Sequence, residues 1–337
     1  MVLNGAAATG SGQVVVTGAD GFAGRAVCAH FRATGVTFRG LVRALRGGTA
    51  ARPDLMPAGD LASIADGAFA NALRGAGTVV HLAGRAHVMH ETATAPRLAF
   101  RAANVAATER VARAAAQAGA EHFVFASSVK VNGEATPPER PFRESDPPDP
   151  RDDYAASKWE AECVLADVAR ETGLAVTVLR LPLLYGPGAK GNFARLTEAV
   201  ARGMPLPLGR IDNRRSLLGL GNFVAALDAV LRHPAPAPGT AVTYFLADAA
   251  PVATPQLVRA IAAALGVAPR LLSIPPSLLR LAAACVGKGA AYERLAGSLE
   301  VDTTAFRTRF GWQPPRSLEM ELADMARARR APSEAPL

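Results

Sequence analysis

The stretch Gln13-Val-Val-Val-Thr17-Gly18-Ala-Asp-Gly21-Phe-Ala-Gly24 decides the fold of this chain. Its β-branched run predicts a short buried strand, and the helical spacing that begins at Phe22 predicts a helix that ends at Gly35. Glycines between a strand and a helix let the backbone approach a pyrophosphate closely, and the helix N-terminus offers free N–H groups to it. An ordinary βα turn is the alternative, but the order of strand, glycine turn and helix favours a dinucleotide site.

The rest of the N-terminal half repeats this alternation. Further strands are predicted over Thr37–Arg43, up to Asp60, and over Val79–Gly84, His122–Ala126 and Val176–Leu181, with a helix over Asn104–Ala118. Strands that alternate with helices form a parallel sheet covered on both faces, so the predicted fold class is α/β, a Rossmann-like doubly wound parallel sheet. The apolar segments Leu257–Gly266 and Pro275–Val286 predict a smaller, helical C-terminal lobe.

A second pattern, Tyr154-Ala-Ala-Ser-Lys158, follows a proline-rich, charged loop whose length indicates a lid or a substrate-contacting excursion. Residues four apart on a helix share one face, so a lysine ammonium beside the tyrosine would favour the phenolate and lower a pKa that is normally near 10. Tyr154 could then exchange a proton with a substrate oxygen. Ser127 and Ser128 leave the preceding strand at its C-terminal edge, where Ser128 could bond that oxygen. Alone, a tyrosine and a lysine at this spacing are more often a solvated pair.

The second strand bears on the choice between NAD and NADP. It ends without the carboxylate that would hold an unmodified adenosine ribose; that place falls on Val42, and Arg43 follows with Arg46 close behind. Arginine there suits a 2′-phosphate, whereas the alternative is a solvated basic loop, so both cofactors stay open. Asp60 stands where a third strand should end and could bond the adenine.

Composition narrows the class of protein. The 337 residues carry a net charge of +8, but the arginines are scattered without aromatic platforms between them, which argues against a nucleic-acid partner. No apolar run is long enough to cross a bilayer, and Met1–Gly12 does not resemble a signal peptide, so a cytoplasmic protein without a membrane partner is expected. The cysteines show no disulfide or metal spacing: Cys28, Cys163 and Cys285. The closely placed histidines are unevenly spaced, so no metal is expected: His81, His87 and His90.

In this order and spacing, Gly18-x-x-Gly21-x-x-Gly24, the Ser128 position and Tyr154-x-x-x-Lys158 resemble the extended short-chain dehydrogenase/reductase superfamily, from about Gln13 to Leu322. Members of this family epimerise, dehydrate or reduce nucleotide sugars. The resemblance implies a catalytic set of Ser128, Tyr154 and Lys158, an NAD or NADP cofactor, and a homodimer through a four-helix interface. The residues expected at the cofactor are Gly18, Asp20, Gly21, Phe22, Ala23, Gly24, Arg43, Asp60, Leu61, Leu82, Ala83, Gly84, Asn104, Ser127, Tyr154, Lys158 and Pro182.

Segments of the second half resemble the family's substrate-binding segments. Gly191-Asn192-Phe193 resembles the segment whose asparagine holds the nucleotide diphosphate, and Asn213-Arg214-Arg215-Ser216 resembles the segment whose arginine clamps it. Alone, each would be a polar loop or a solvated arginine pair. The residues expected to bind a UDP-sugar are Arg85, Ser128, Asn192, Phe193, Arg215 and Arg294.

The predicted domain boundaries follow from this division of roles. Residues 1–12 form a flexible lead-in, and residues 13–182 with about 216–248 form the dinucleotide-binding domain. Residues about 183–215 with 249–329 form the smaller substrate-binding lobe, and residues 330–337 form a disordered tail.

Two departures from the family's patterns bear on the reaction. Leu183 stands where galactose-type epimerases place an asparagine against the sugar, and Val129 with Lys130 stands where dehydratases place an acidic residue, so 4,6-dehydration is not expected. The remaining pattern resembles a subgroup from bacterial O-antigen gene sets that contains UDP-sugar 4-epimerases and 4-keto reductases that make UDP-N-acetylquinovosamine. The preferred prediction is reduction of a UDP-4-keto-6-deoxy-N-acetylhexosamine. The alternatives are a 4-epimerase of UDP-glucose or UDP-N-acetylglucosamine with tightly bound NAD, and a non-catalytic NADP(H)-binding sensor on the same fold.

Overall fold

A parallel sheet forms the centre of the molecule, for which a computed structural model describes residues 12–45, 52–86, 95–285, 287 and 289–330. The strands in this part of the chain are β1 (Gln13–Thr17), β2 (Phe38–Val42), β3 (Leu55–Pro57), β4 (Ala76–His81), β5 (His122–Ser128), β6 (Ala175–Leu181), β7 (Leu183–Tyr185), β8 (Leu217–Gly219) and β9 (Ala241–Phe245). Seven of them form one sheet in the order β3-β2-β1-β4-β5-β6-β9, and every neighbouring pair is parallel. The predicted Rossmann-like doubly wound parallel sheet is confirmed.

Helices cover the sheet and build the C-terminal part of the chain. They are α1 (Phe22–Thr34), α2 (Asp66–Leu73), α3 (Pro96–Phe100), α4 (Ala107–Gln117), α5 (Asp153–Thr172), α6 (Gly191–Ala201), α7 (Leu220–Arg232), α8 (Thr254–Leu265), α9 (Pro276–Cys285), α10 (Gly289–Ala296), α11 (Thr304–Phe310) and α12 (Leu318–Arg330). The helix predicted from Asn104 starts earlier, at Pro96, because a wide π-helical segment, Arg101–Ala106, continues the helical backbone from α3 into α4.

The two faces of the sheet bury different helices, which explains the β-branched run of β1. Val14 and Val16 pack in a cluster with residues of α1, α7 and α11, whereas Val15 packs on the other face with residues of α2, α4 and α5. Successive side chains of a strand point to opposite faces, so a strand covered on both sides is apolar at every position.

The strand order places a crevice at one edge of the sheet. After β1 the chain continues outward to β2 and β3, whereas after β4 it continues in the opposite direction to β5 and β6. The loops that follow β1 and β4 therefore diverge, and ligands of such sheets bind in the opening between them, beyond the carboxyl ends of the strands.

A third apolar cluster lies outside the sheet. It joins Tyr185 and Leu217 with buried residues of α6, α8 and α12. These two residues lie on β7 and β8, the strands that form a separate two-stranded sheet. Such a cluster is what a smaller C-terminal lobe would contain, but the domain boundaries themselves stay a prediction.

The ends of the chain lie mostly outside the described residues. Of the predicted lead-in the structure describes only Gly12, and of the predicted tail only Arg330, which is the last residue of α12. Within the described ranges, the helices are too short or too polar to span a bilayer.

Candidate active site

The glycine turn after β1 is packed too tightly for side chains. Gly18 has a positive φ of 68°, and a Cβ added to it would lie 2.8 Å from the backbone nitrogen of Ala83, in the segment that follows β4. A Cβ at Gly24 would lie 2.1 Å from the carbonyl oxygen of Gly18. Glycine is therefore required at both positions, and the turn forms the cradle in which a pyrophosphate can lie against bare backbone.

The start of α1 supplies the hydrogen-bond donors of this cradle. Gly21 caps the helix without a side-chain hydrogen bond, and the first turn carries no acidic residue. The N–H groups of Phe22, Ala23 and Gly24 have no carbonyl partner within the helix, so an anion bound there would satisfy them and interact favourably with the helix dipole. Asp20 is exposed beside them, and its carbonyl accepts a hydrogen bond from Arg25. These observations fit a nicotinamide dinucleotide.

The ends of β2 and β3 lie where the adenosine end of a dinucleotide would bind. Arg43 is exposed directly after β2, and its carbonyl accepts a hydrogen bond of 3.1 Å from Gly59 N. Asp60 is exposed, and its carboxylate accepts from Ala62 N at 3.0 Å. Leu61 packs against the cluster on the α2 face. Arg46 lies outside the described residues.

Asn104 connects the loop after β4 to α5. Its amide oxygen accepts from Arg85 N at 2.7 Å, and its amide nitrogen donates to the Arg85 carbonyl at 3.0 Å and to the Ser157 hydroxyl at 2.9 Å. Leu82 and Ala83 are held in turn by backbone and side-chain contacts with Thr17. A Cβ at Gly84 would lie 3.0 Å from the Asn104 amide oxygen and 3.6 Å from Lys158 Nζ. Asn104 therefore keeps the cofactor-side backbone against the helix that carries the lysine.

The structure brings Ser128, Tyr154 and Lys158 together at this edge of the sheet. Ser128 ends β5, and its hydroxyl hydrogen-bonds with Tyr154. Tyr154 lies in the first turn of α5, whose N-cap, Asp152, accepts a hydrogen bond of 2.7 Å from Ala155 N. One turn further along α5, Lys158 Nζ donates to the Ala126 carbonyl at 2.7 Å. The helix cap thus positions Tyr154 and the end of β5 positions Lys158, so the two side chains could take part in a proton transfer.

Burial determines the charge states of this set. It raises the pKa of Tyr154 to about 12, and the hydrogen bond with Ser128 opposes that increase. It lowers the pKa of Lys158 to about 8, against the negative charge of Glu162. The pKa of Tyr154 therefore lies above its usual value of 10, contrary to the predicted lowering, because burial is the largest influence on it. At neutral pH Tyr154 is a neutral acid that can donate a proton.

Arg85 and the tyrosine share one aromatic neighbour. The Arg85 guanidinium lies 5.3 Å from the centre of the Phe100 ring, and that ring meets the Tyr154 ring edge-on at 6.2 Å between centres. Ser127, which precedes Ser128, donates to the buried carboxylate of Glu162. Pro182 is buried between β6 and β7.

The side chains predicted to bind substrate differ in their exposure to solvent. Asn192 is exposed at the start of α6, whereas Phe193 is 2% exposed and packs its ring 5.4 Å from that of Tyr185. The Phe193 side chain belongs to the third apolar cluster, so its contact with substrate stays a prediction that only its backbone would fulfil. Arg215 is half-buried and donates to the Gly297 carbonyl at 2.8 Å, while its neighbour Arg214 is exposed and pairs with Glu300. The side chain of Arg294 lies outside the described residues.

His81 has a structural role in this part of the molecule. Its two ring nitrogens lie 2.7 Å from the Thr17 hydroxyl and 3.0 Å from the Thr108 hydroxyl, and burial lowers its pKa to about 3. His87 and His90 lie outside the described residues. In the described ranges, no three His, Cys, Asp or Glu residues are grouped so that they could hold a metal ion.

The sequence analysis missed two charged residues behind the catalytic set. Glu162 follows Lys158 by four positions on α5, and Arg180 is a charge within the mostly apolar strand β6. The spacing of Glu162 from Lys158 and the apolar neighbours of Arg180 could have indicated the pair, because a charge in a buried strand needs a partner.

Gly24→Ala is expected to weaken NADH binding by at least about tenfold and to cost about 1–3 kcal/mol of unfolding free energy, because the new Cβ overlaps the Gly18 carbonyl. Fluorescence titration with NADH and thermal unfolding measure the two effects. Gly67→Ala is the matched control, since Gly67 lies in α2 with open space around its Cβ position. Normal binding in Gly24→Ala would contradict the cradle.

Lys158→Met is expected to raise the melting temperature at pH 7, and this gain should narrow as the pH rises above 8. The folded-state pKa of Lys158, about 8, lies below its usual value of 10.5, so the buried ammonium destabilises the fold fully below pH 8 and less as the pH rises toward 10.5. Thermal unfolding between pH 7 and about pH 10 measures the difference. Lys190 is exposed, so Lys190→Met should show no such pH dependence. A gain in melting temperature that is the same at every pH in Lys158→Met would contradict a lowered pKa for Lys158.

Comparisons with known proteins agree with this geometry. The model of the "NAD dependent epimerase/dehydratase family" matches residues 14–243. The chain is 36% identical over 275 residues to a UDP-glucose 4-epimerase of Vibrio cholerae, which covers 81% of this chain and 82% of that protein. It is 31% identical over 271 residues to a 2-alkyl-3-oxoalkanoate reductase of Stenotrophomonas maltophilia, over 77% of each chain. The solved structure of MoeE5 in complex with UDP-glucuronic acid and NAD is 26% identical and covers 95% of this chain and 99% of its own, with a TM-score of 0.74. The chain therefore belongs to the NAD-dependent epimerase/dehydratase family of extended short-chain dehydrogenase/reductase enzymes.

Proposed function

We propose that this enzyme moves a hydride at C4 of a UDP-linked hexose, with Tyr154 as the proton donor or acceptor at the C4 oxygen. The observation that carries the proposal is the hydrogen-bonded pair of Ser128 and Tyr154, placed beside Lys158 at the same sheet edge as the glycine cradle. The names of two similar proteins support the substrate class: the Vibrio cholerae relative is a UDP-glucose 4-epimerase, and MoeE5 binds UDP-glucuronic acid and NAD.

A bound nicotinamide would accept or donate the hydride. The side chains of this protein do the remaining chemistry. The Ser128 hydroxyl orients the C4 oxygen, and Tyr154, neutral because burial raises the pKa of its phenol to about 12, donates its proton to that oxygen. The Lys158 ammonium, one helical turn away, stabilises the phenolate that remains. Holding these groups on a helix and a strand end lowers the entropy cost of reaction.

The UDP end of the substrate would lie between α6 and the segment of Arg215. Backbone hydrogen bonds fix this segment on both sides, from Arg215 N to the Val252 carbonyl at 3.1 Å and from Ser216 N to the Leu299 carbonyl at 2.8 Å. A guanidinium is suited to a diphosphate because it donates several hydrogen bonds in one plane. Asn192, exposed at the N-terminus of α6, is the second group proposed for this end.

Reduction of a UDP-4-keto-6-deoxy-N-acetylhexosamine is the first candidate reaction. A reductase consumes one reduced cofactor per turnover, so it must exchange the cofactor readily. The exposed Arg43 after β2, in place of a ribose-binding carboxylate, suits a loosely held NADH or NADPH. Val129 and Lys130 stand where dehydratases place the acidic residue that protonates the leaving hydroxyl, which argues against a dehydratase.

Epimerisation at C4 is the second candidate, and the name of the Vibrio cholerae relative favours it. An epimerase keeps its NAD, turns the keto sugar over and returns the hydride to the other face. A non-catalytic NADP(H) sensor is a weaker alternative, because this chain keeps both Tyr154 and Lys158 in a catalytic arrangement.

One assay separates these reactions. The protein is purified without added cofactor, any nucleotide that it retains is released and identified, and absorbance at 340 nm is then followed with NADH or NADPH and the UDP-4-keto sugar. Stoichiometric oxidation of the added cofactor supports the reductase. Retained NAD, no net oxidation and interconversion of UDP-glucose-type and UDP-galactose-type sugars support the epimerase. NADP(H) binding without turnover of any nucleotide sugar would refute the proposal.

Tyr154→Phe is expected to lower turnover by at least about 100-fold, the usual contribution of a general acid, with little change in NADH affinity. The ring and its contact with Phe100 remain, so the change removes only the proton donor. Steady-state kinetics and NADH titration measure the two effects. Tyr244→Phe makes the same change in the core and should stay active. Near-normal turnover in Tyr154→Phe would refute the assignment.

Arg215→Met is expected to raise the KM for the nucleotide sugar by about tenfold or more, with a smaller effect on NADH binding, because a charged hydrogen bond to the diphosphate is lost. Arg214→Met is the matched control, since the neighbouring arginine is exposed and pairs with Glu300 instead. Melting temperatures exclude a folding defect. Equal KM values in the two variants would place the diphosphate elsewhere.

A further inference from the structure

A buried ion pair lies directly behind the proposed catalytic set. Glu162 of α5 and Arg180 of β6 are 5% and 4% exposed. The Arg180 guanidinium donates to the carboxylate at 2.6 Å from Nη2 and at 3.1 Å and 3.2 Å from Nε. Its remaining nitrogen donates to the Asn132 amide oxygen at 2.8 Å, so both partners have well-formed hydrogen bonds away from water.

The pair connects to the catalytic residues on two sides. Tyr154, Lys158 and Glu162 follow one another at intervals of four along α5 and therefore share one face of the helix. The Glu162 carboxylate also accepts a hydrogen bond from Ser127, which immediately precedes Ser128 on β5. One carboxylate thus contacts the strand that carries the catalytic serine and lies one turn from the lysine.

Stability alone does not account for this arrangement. Taking two charges out of water is costly, and apolar side chains of similar volume often replace such a pair without loss of stability. A buried charge can instead be required because it sets the protonation state of a neighbouring group. Lys158, 6% exposed, is such a group, because an ammonium loses its proton more readily when it is buried.

The surroundings of Lys158 identify what keeps it protonated. Its own helix contributes Tyr154 and Glu162, β4 contributes His81, and Arg180 of β6 lies behind Glu162 as its ion-pair partner. From β5, the Ala126 carbonyl accepts its hydrogen bond, and the Phe125 ring centre lies 4.4 Å from Nζ. Burial keeps His81 and Tyr154 neutral near pH 7, through a lowered and a raised pKa respectively. Among these described groups, Glu162 is the anion.

We propose that Glu162, held by Arg180, is a positioning residue that keeps the Lys158 ammonium charged and fixes the Ser127–Ser128 end of β5. The importance of this charge for turnover rests on the proposed function, but the charge itself can be measured without substrate or cofactor. Arg180 contributes by pairing with the Glu162 carboxylate and by tying it through Asn132 to the loop that follows Ser128.

The lysine content makes a direct measurement practical. The whole chain contains only four lysines, so a protein labelled with ¹³C at lysine Cε gives few signals to titrate: Lys130, Lys158, Lys190 and Lys288. The signal that Lys158→Arg removes belongs to Lys158. In the unaltered protein its midpoint is expected near the pKa of about 8. In Glu162→Gln it should fall by about one pH unit or more, because the stabilising anion is lost.

Matched variants separate charge from structure. Glu160→Gln removes a carboxylate from the same helix, where it pairs with Arg101 at the surface, and should leave the Lys158 midpoint unchanged. Glu162→Asp keeps the anion, so the Lys158 midpoint should stay close to that of the unaltered protein. If Glu162→Gln alone fails to fold, Glu162→Gln combined with Arg180→Leu leaves no unpaired charge and should still shift the midpoint downward, but by less, because the neighbouring cation is lost with the anion.

Enzyme kinetics supply the second readout. The alkaline limb of the kcat profile should move to lower pH in Glu162→Gln and stay in place in Glu160→Gln, since turnover is lost as Lys158 gives up its proton. A purely structural role would lower kcat equally at all pH values. An unchanged Lys158 midpoint in Glu162→Gln, or an equal shift in Glu160→Gln, would overturn the inference. Absence of any nucleotide-sugar turnover in the unaltered protein would instead refute the proposed function and leave the NMR result to decide this inference.

Discussion

The contact between the glycine turn after β1 and the backbone that follows β4 is the constraint on which the rest of the site depends. Because Gly18 has no side chain and a positive φ, the turn can lie directly against Ala83, and α1 can begin at the edge of the sheet. This contact occurs where the strand order reverses, so it sets the floor of the crevice. Gly84, the residue after Ala83, lies close to Lys158 Nζ, so the ammonium stands on the same side of the crevice as the glycine turn.

Helix α5 joins the core of the protein to this crevice. One part of its surface packs Ala161, Leu165 and Val168 into the apolar cluster on the sheet, while its first turns present Tyr154 and Lys158 to the crevice. Packing fixes the helix rigidly, and burial then controls the charges that it carries. The lysine pKa falls and the tyrosine pKa rises, so the pair starts as a neutral acid beside an ammonium that loses its proton within reach of physiological pH. Such an ammonium destabilises the fold, and the large apolar clusters on both faces of the sheet offset that cost.

The features that the sequence alone could predict are those with local causes. The alternation of strands and helices, the glycine turn and the spacing of Tyr154 and Lys158 depend on neighbours in the chain, and the structure reproduces them. The features that escaped prediction depend on packing between distant segments. The burial of Phe193 follows from the third apolar cluster, and the raised pKa of Tyr154 follows from its own burial, while Glu162 meets Arg180 only once α5 lies on β6. The reaction itself is decided by where the sugar lies, which no local pattern specifies.

A crystal structure of the protein with NAD and a UDP-hexose tests the central claim most directly. We expect the pyrophosphate of NAD to lie on the glycine turn, and the sugar C4 oxygen to lie within about 3.2 Å of both the Tyr154 and the Ser128 hydroxyls. Sugar C4 facing the nicotinamide in that complex would establish hydride transfer at this carbon. A sugar that places another carbon against the nicotinamide, or that binds away from Tyr154, would contradict the account.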